Sequence, residues 1–255
     1  VLAKYYDPAV AAQPIIFYLG GAALILVAGC CLRLADPVKK EAGAAVSGGL
    51  WKLLGDGKFL LFLCFSVLFC IPLALYYSYA NTFLKSAGIS QTETFMTAGQ
   101  VSEVIFLALL PLLAVRFSAK TILLFGMACW ALRYWLFAEF PSSGLALFTA
   151  IAIHGACYDF LFIAGQLYVD EEANERIRGA AQGLIAFILW GVGAFVGTLL
   201  AGQVLAKHAL AAPVNGLAHD WKAIWLTPAW GALAVLVIFL IFFRNPSKPT
   251  ASPSA

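Results

Sequence analysis

Three charged side chains lie inside stretches of the sequence that otherwise consist of apolar residues: Glu103, Arg133 and Asp159. A charge at the depth of a bilayer costs at least about 2.5–3.5 kcal/mol on insertion scales, so an ionisable residue in such a stretch is a candidate functional residue. Two of the three are carboxylates, which accept hydrogen bonds from hydroxyl and amino groups and can carry a proton. This chemistry suits a pathway for a polar solute or for protons.

Glu103 belongs to a polar face of its helix. Thr97, Gln100 and Glu103 follow one another at intervals of three residues, which places them on one side of a helix. An amide and a carboxylate one turn apart can bind a solute that has hydroxyl or amide groups. The alternative is that Glu103 forms an ion pair with Arg133 that only holds two helices together.

Asp159 belongs to a second polar strip, with His154, Tyr158 and Gln166. It has no basic residue within one helical turn, so it must face water, a solute or another helix, or carry a proton. We therefore expect Asp159 to be the proton-coupling carboxylate, ahead of Glu103. His154 fits a solute contact and an interhelical hydrogen bond equally well.

A third polar group consists of Tyr77 and Asn81, which lie four residues apart on another apolar stretch. Both could line a solute cavity. The alternative is that they belong to the belt of aromatic and polar residues at the outer membrane interface, which suits Asn81 better than Tyr77.

The composition that surrounds these residues is that of a polytopic membrane protein. Of the 255 residues, 62% are hydrophobic and only 11% are charged, whereas about 25% of a soluble domain is charged. The basic residues are dispersed, which argues against nucleic-acid binding. The six cysteines match no metal-site spacing, and enzyme motifs are missing. We expect no enzyme activity, no cofactor and no metal.

A spanning helix needs about 20 mostly apolar residues. The sequence predicts an all-α transmembrane helical bundle with about seven such helices, joined by polar loops that include Lys207–Lys222. The predicted spans are Pro14–Leu34, Phe59–Phe83, Phe95–Val115, Thr121–Phe140, Leu145–Tyr168, Ala180–Ala206 and Ala223–Phe243.

The distribution of positive charge predicts the orientation. With the C-terminal tail inside, eleven of the sixteen Lys and Arg residues lie in inner loops and four in outer loops, while Arg133 lies in the membrane. We therefore expect a cytoplasmic C-terminus.

A long loop between the first and second spans suggests a division into parts. Carriers of the major facilitator type consist of two six-helix halves with the solute site between them at the midplane. The expected division is 1–34 as the last helix of an N-terminal half that is missing from this chain, and 35–58 as the cytoplasmic interdomain loop. Residues 59–243 would form the C-terminal six-helix domain and 244–255 a cytoplasmic tail, with a short helix at Leu50–Leu54 in the loop.

Three segments carry a resemblance to a known family: Gly99–Val104 (GQVSEV), His154–Phe160 (HGACYDF) and Glu175–Gly183 (ERIRGAAQG), together with Arg133-Tyr134. They resemble the nucleoside:proton symporters of the major facilitator superfamily. The resemblance implies a carrier of the bacterial inner membrane that imports nucleosides with protons, and it implies that Gln100, Glu103, Tyr158 and Asp159 contact the solute. Its implied partners are a nucleoside, protons and the lipid bilayer.

Two other functions fit the same residues. Ribose hydroxyls suit the carboxylates, a base edge suits Gln100 and a base face can stack on Tyr158, but another polar solute such as a sugar would fit nearly as well. A membrane scaffold or receptor with a carrier-like fold that does not transport is the third hypothesis.

Overall fold

The computed structural model describes residues 15–33, 47–214 and 217–242. Two compact units divide the chain, Val1–Ala45 and Val46–Ala255. In the first unit, α1 (Ile15–Cys31) is an apolar helix of 17 residues. It overlaps the first predicted span and is shorter than a typical membrane-spanning helix. The predicted tail, 244–255, lies outside the described residues, as does the loop up to residue 46.

The described residues of the second unit form helices and one small hairpin. Its helices are α2 (Ser47–Leu54), α3 (Gly57–Ser86), α4 (Thr92–Arg116), α5 (Ala119–Glu139), α6 (Gly144–Ala152), α7 (His154–Tyr158), α8 (Ala164–Glu172), α9 (Arg178–Ala186), α10 (Ala194–Lys207) and α11 (Trp221–Phe242). The short helix predicted at Leu50–Leu54 is present as α2, although it begins earlier, at Ser47.

Two stretches of π-helix continue the shorter helices into longer ones. Asp159–Ile163 joins α7 to α8, and Phe187–Gly193 joins α9 to α10. Arg178–Lys207 is thus one helix of 30 residues, while Gly144–Ala152 and His154–Glu172 form a broken pair with a bend of 40°.

The described residues contain five helices that are long and apolar enough to cross a membrane, or six if the broken pair is one span. Each corresponds to one of the last six predicted spans. The prediction of an all-α, multi-pass membrane bundle is confirmed.

Short polar residues fix where several spans begin. Ser118 precedes α5 and its hydroxyl accepts a hydrogen bond from the Thr121 amide at 3.2 Å. Ser143 does the same for α6, from the Ala146 amide at 3.3 Å. These caps satisfy amides at the helix N-termini, which have no partner within the helix.

One part of the core of the second unit lies where α3, α5 and α11 meet. Trp225 of α11 is fully buried, stacks on Tyr134 with ring centroids 5.6 Å apart, and contacts Phe83 and Phe137. The Tyr134 hydroxyl donates to the Pro72 carbonyl at 2.6 Å. Aromatic packing and this buried bond therefore hold α5, which carries Arg133, against α3.

Glycines allow the long helix Arg178–Lys207 to approach α3 closely, one at the end of its π-helical stretch and one in α10. A Cβ at Gly193 would lie 2.6 Å from the Cys70 sulfur, and one at Gly197 would lie 2.7 Å from the Cys70 carbonyl oxygen. This agrees with the close packing expected of a GxxxG pair.

A two-stranded hairpin follows α10, where the sequence analysis expected only a loop. β1 (Ala209–Val214) pairs antiparallel with β2 (Leu217–His219). The Asn215-Gly216 dipeptide is a hairpin signal that the sequence carries between the two strands.

Candidate solute and proton site

The site is built on the break in the fifth predicted span. α6 ends at Ala152, α7 begins at His154, and the Gly155 amide donates to the Ser102 hydroxyl of α4 at 2.8 Å. The same hydroxyl donates to the Gly99 carbonyl at 2.7 Å. A Cβ at Gly155 would collide with the Ser102 carbonyl oxygen, so the contact requires glycine. The break brings α7 against the polar part of α4.

The π-helical stretch begins at Asp159, directly after α7. Short π-helical insertions widen a helix locally and occur often at functional sites. Just before it, the Cys157 carbonyl accepts a hydrogen bond from Trp130 Nε1 of α5 at 2.8 Å. The irregular backbone of this span is therefore satisfied by side chains of α4 and α5, as buried helix breaks in membrane proteins require.

A chain of three side chains crosses the site. Arg133 Nη1 lies 2.7 Å from His154 Nδ1, and His154 Nε2 lies 2.7 Å from Glu103 Oε1. Arg133 and His154 are buried, whereas the Glu103 side chain is 32% exposed. The direct Arg133–Glu103 pair weighed in the sequence analysis is not formed, because His154 lies between the two charges.

Tyr76 supports both inner members of this chain. The Arg133 guanidinium lies 3.6 Å from the centre of the Tyr76 ring, within the range of a cation–π contact. The His154 ring stacks on the same tyrosine at 5.1 Å. Arg133 Nε and Nη2 are buried and have no hydrogen-bond partner among the described residues.

Asp159 lies beside this chain without joining it. Its side chain is buried, and Oδ2 has no hydrogen-bond partner in the part of the chain that the structure describes. A buried carboxylate oxygen in this state needs a proton, a solute donor or water. These are three of the four alternatives that the sequence left open for Asp159, the fourth being contact with another helix.

Tyr158 lies between the polar chain and an aromatic wall. It is half-buried, and its ring stacks on His154 at 6.0 Å and packs against Phe162 at 5.0 Å. Phe162 in turn stacks on Trp190, at 6.2 Å. A flat, half-exposed aromatic surface next to carboxylates can hold the face of a base.

The polar face of α4 is open. Gln100 and Thr97 are exposed. In the most apolar 18-residue stretch of α4, only 17% of the residues are buried among the described residues, compared with 67% in the corresponding stretch of α3. Gln100 lies one turn from Glu103, as predicted, and its amide is accessible.

The other two predicted residues lie apart from each other. Tyr77 is 54% exposed and its ring meets the edge of His154 at 6.3 Å. Asn81 lies about one helical turn beyond Tyr77 on α3, and its amide contacts Thr92 at 3.2 Å and Glu93 at 3.4 Å. Asn81 therefore ties α3 to the start of α4, and its contact with a solute stays a prediction.

Sequence reasoning missed two supporting residues, Tyr76 and Ser102. Tyr76 stands next to Tyr77 in the sequence, and no local pattern shows that Tyr76 is buried whereas Tyr77 is exposed. Ser102 lies within the GQVSEV segment, but its partner is 53 residues away in sequence. No local pattern indicates that partner.

Comparison with known proteins identifies the family. The family model described as nucleoside H+ symporter matches residues 7–248. The chain belongs to the nucleoside H+ symporter family. This confirms the resemblance seen in the sequence, and it places the chain among transporters rather than enzymes.

Individual relatives carry related names. The chain is 39% identical over 198 residues to the putative nucleoside transporter YegT of Escherichia coli K12, covering 76% of this chain and 47% of that protein. It is 29% identical to the xanthosine permease of the same organism, covering 92% and 59%. The chain thus spans about half the length of the curated relatives it matches.

The fold agrees with that of a solved transporter. The crystal structure of nucleoside transporter NupG superposes with a TM-score of 0.69 at 26% identity, covering 90% of this chain and 60% of that one. A mutant of the same transporter gives 0.73, covering 89% and 60%. The fold of this chain is therefore similar to that of a nucleoside transporter.

Proposed function

We propose that the protein to which this chain belongs imports nucleosides by proton symport, and that Gln100, Glu103, Tyr158 and Asp159 contact the solute. The observation that carries the proposal is a polar cluster on the broken span of a chain that belongs to the nucleoside H+ symporter family. The partly exposed Glu103 carboxylate and the accessible Gln100 amide are suited to ribose hydroxyls and to a base edge. Tyr158 offers its ring to the base.

Asp159 is proposed as the carboxylate that carries the coupled proton. Its Oδ2 atom is buried and has no hydrogen-bond partner among the described residues, whereas Glu103 is already bonded to His154. A proton bound to Asp159 would remove the need of Oδ2 for a donor while the solute crosses the membrane. Glu103 remains the second candidate for the coupling role.

The transporting unit is proposed to contain a further six-helix half that faces the polar side of α4. Residues 1–34 would then be the last helix of that half and 35–58 the loop between halves. The exposure of Gln100 supports this, since a side-chain amide that faces lipid without a partner is unfavourable. We propose a location in the bacterial inner membrane because of the family to which the chain belongs. We propose a cytoplasmic C-terminus because of the charge asymmetry of the loops.

Uptake into proteoliposomes that contain the intact transporter tests the proposal. With an inward proton gradient, labelled uridine is expected to accumulate and to be displaced by adenosine but not by glucose. Uptake displaced by glucose alone would indicate a sugar carrier. Absence of any solute uptake would favour a scaffold or receptor.

A further inference from the structure

The Arg133–His154–Glu103 chain fixes the protonation pattern of its central imidazole. A guanidinium has N–H donors and no acceptor. His154 Nδ1, 2.7 Å from Arg133 Nη1, must therefore be the acceptor and carry no proton. A neutral imidazole then has its hydrogen on Nε2, and this atom lies 2.7 Å from Glu103 Oε1. The ring donates to the carboxylate in this tautomer.

The surroundings hold the imidazole in this orientation. Its ring stacks on Tyr76 at 5.1 Å and on Tyr158 at 6.0 Å, and a Cβ added to Gly99 of α4 would lie only 3.4 Å from its Cβ. Only 3% of the residue is exposed, so a solute cannot easily reach either ring nitrogen. His154 is consequently better placed to act on Glu103 than on a solute.

Arg133 is the cation at the buried end of this chain, and it acts on Glu103 through the imidazole of His154. It is fully buried and has no carboxylate within ion-pair distance among the described residues. Its guanidinium contacts the Tyr76 ring face and the His154 nitrogen, and it lies 5.6 Å from the centre of the Trp130 ring. Glu103, at the other end of the imidazole, is the carboxylate that this cation stabilises through the ring.

We propose that Arg133 and His154 are positioning residues that fix the Nε2–H tautomer of His154. Through it they orient the Glu103 carboxylate, with Oε1 held by the imidazole and Oε2 available to a donor on the solute. This inference rests on the proposed solute site at Glu103. It assigns His154 a role behind the carboxylate, in place of a direct solute contact.

The tautomer can be read without any solute. In transporter labelled with ¹³C and ¹⁵N histidine, the His154 signal, assigned by its loss in His154→Gln, is expected to show the Nε2–H form. Arg133→Met removes the donor to Nδ1 and should abolish this fixed form. Tyr134→Phe, which deletes the neighbouring buried bond to Pro72, should leave it unchanged. An Nδ1–H or doubly protonated ring in the native protein would overturn the proposal.

The positioning role is read from nucleoside affinity in a double-mutant cycle. His154→Phe keeps the stacking and removes both nitrogens, so it should raise Kd about tenfold or more, the size expected for losing a hydrogen bond to a charged group. His154→Gln retains a donor and an acceptor and should restore most of the affinity. In a Glu103→Gln background, His154→Phe should change Kd by about twofold or less, since the two residues act as one unit.

Full additivity of His154→Phe and Glu103→Gln would overturn the positioning role, as would an unchanged Kd in His154→Phe alone. If the native protein shows the Nε2–H form and yet binds no nucleoside, then the proposed function fails while the geometry of the chain stands. The two failures are thus distinguishable.

Discussion

Glu103 is the residue on which solute affinity should depend most directly. Glu103→Gln keeps the size of the side chain and removes its charge. Because the side chain is 32% exposed, we expect nucleoside affinity to fall about tenfold or more while folding is retained. Calorimetric Kd values and detergent melting curves of the purified transporter measure the two effects separately.

Glu139→Gln is the matched control for this substitution. Glu139 pairs with Lys222 at 2.7 Å in an exposed ion pair, and such pairs contribute about 0–1 kcal/mol. Its loss should leave Kd unchanged. If Glu103→Gln instead prevents folding while affinity per folded molecule stays normal, Glu103 has a structural role only.

Asp159 should be separable from Glu103 by its effect on coupling. Asp159→Asn cannot carry the proton, so uphill accumulation should be abolished while counterflow of bound nucleoside between equal pools can persist. The control Asp170→Asn breaks an exposed pair with Arg178, at 3.0 Å, and should affect neither assay. Proton-dependent accumulation by Asp159→Asn would transfer the coupling role to Glu103.

The sequence identified candidate residues where a charged type stood among apolar neighbours. It did not identify contacts between residues that are far apart in the sequence. The charges at 103, 133 and 159 stood out because of their apolar neighbours. That His154 separates Arg133 from Glu103 was not predictable, because these partners lie 21 and 51 positions from it and no local pattern specifies the contact.

At the scale of elements, the contact of α4 with α7 controls the geometry of the site. Gly155→Ala would place a methyl group against the Ser102 backbone, so it should separate the two helices and destabilise the fold by about 1–3 kcal/mol. The melting temperature in detergent should fall, and nucleoside affinity should fall with it.

Gly183→Ala is the control for this element. The Cβ position at Gly183 has no described atom within 4 Å, and alanine is the better helix former. Stability should be unchanged or slightly higher. If the Gly155→Ala protein were as stable as Gly183→Ala, the α4–α7 contact would rearrange without loss of stability, and the prediction would be wrong.

The spans were predictable from hydropathy, whereas their interruptions were not. The sequence predicts one continuous helix for Leu145–Tyr168, because its apolar residues give no signal of the break at Ile153 or of the π-helical stretch at Asp159–Ile163. Both irregularities depend on partners in α4 and α5. The hairpin after α10 was missed for another reason: its Asn-Gly signal was read as part of a loop.

At the scale of the whole molecule, the open face of α4 determines what the chain can do alone. With Thr97 and Gln100 exposed, the proposed solute site has a wall on one side only among the described residues. We therefore expect the isolated 255-residue chain not to accumulate nucleoside in proteoliposomes. Co-reconstitution with the proposed N-terminal half should restore accumulation, and accumulation by the chain alone would refute the two-half arrangement.

Coupling of nucleoside entry to proton entry is the central claim, and trapped pH indicator in proteoliposomes measures it most directly. Uridine added outside, with no imposed proton gradient, should acidify the lumen of vesicles that contain the intact transporter and the Asp170→Asn control. Vesicles with Asp159→Asn should show no acidification. Uridine uptake without acidification in the native protein would contradict proton symport.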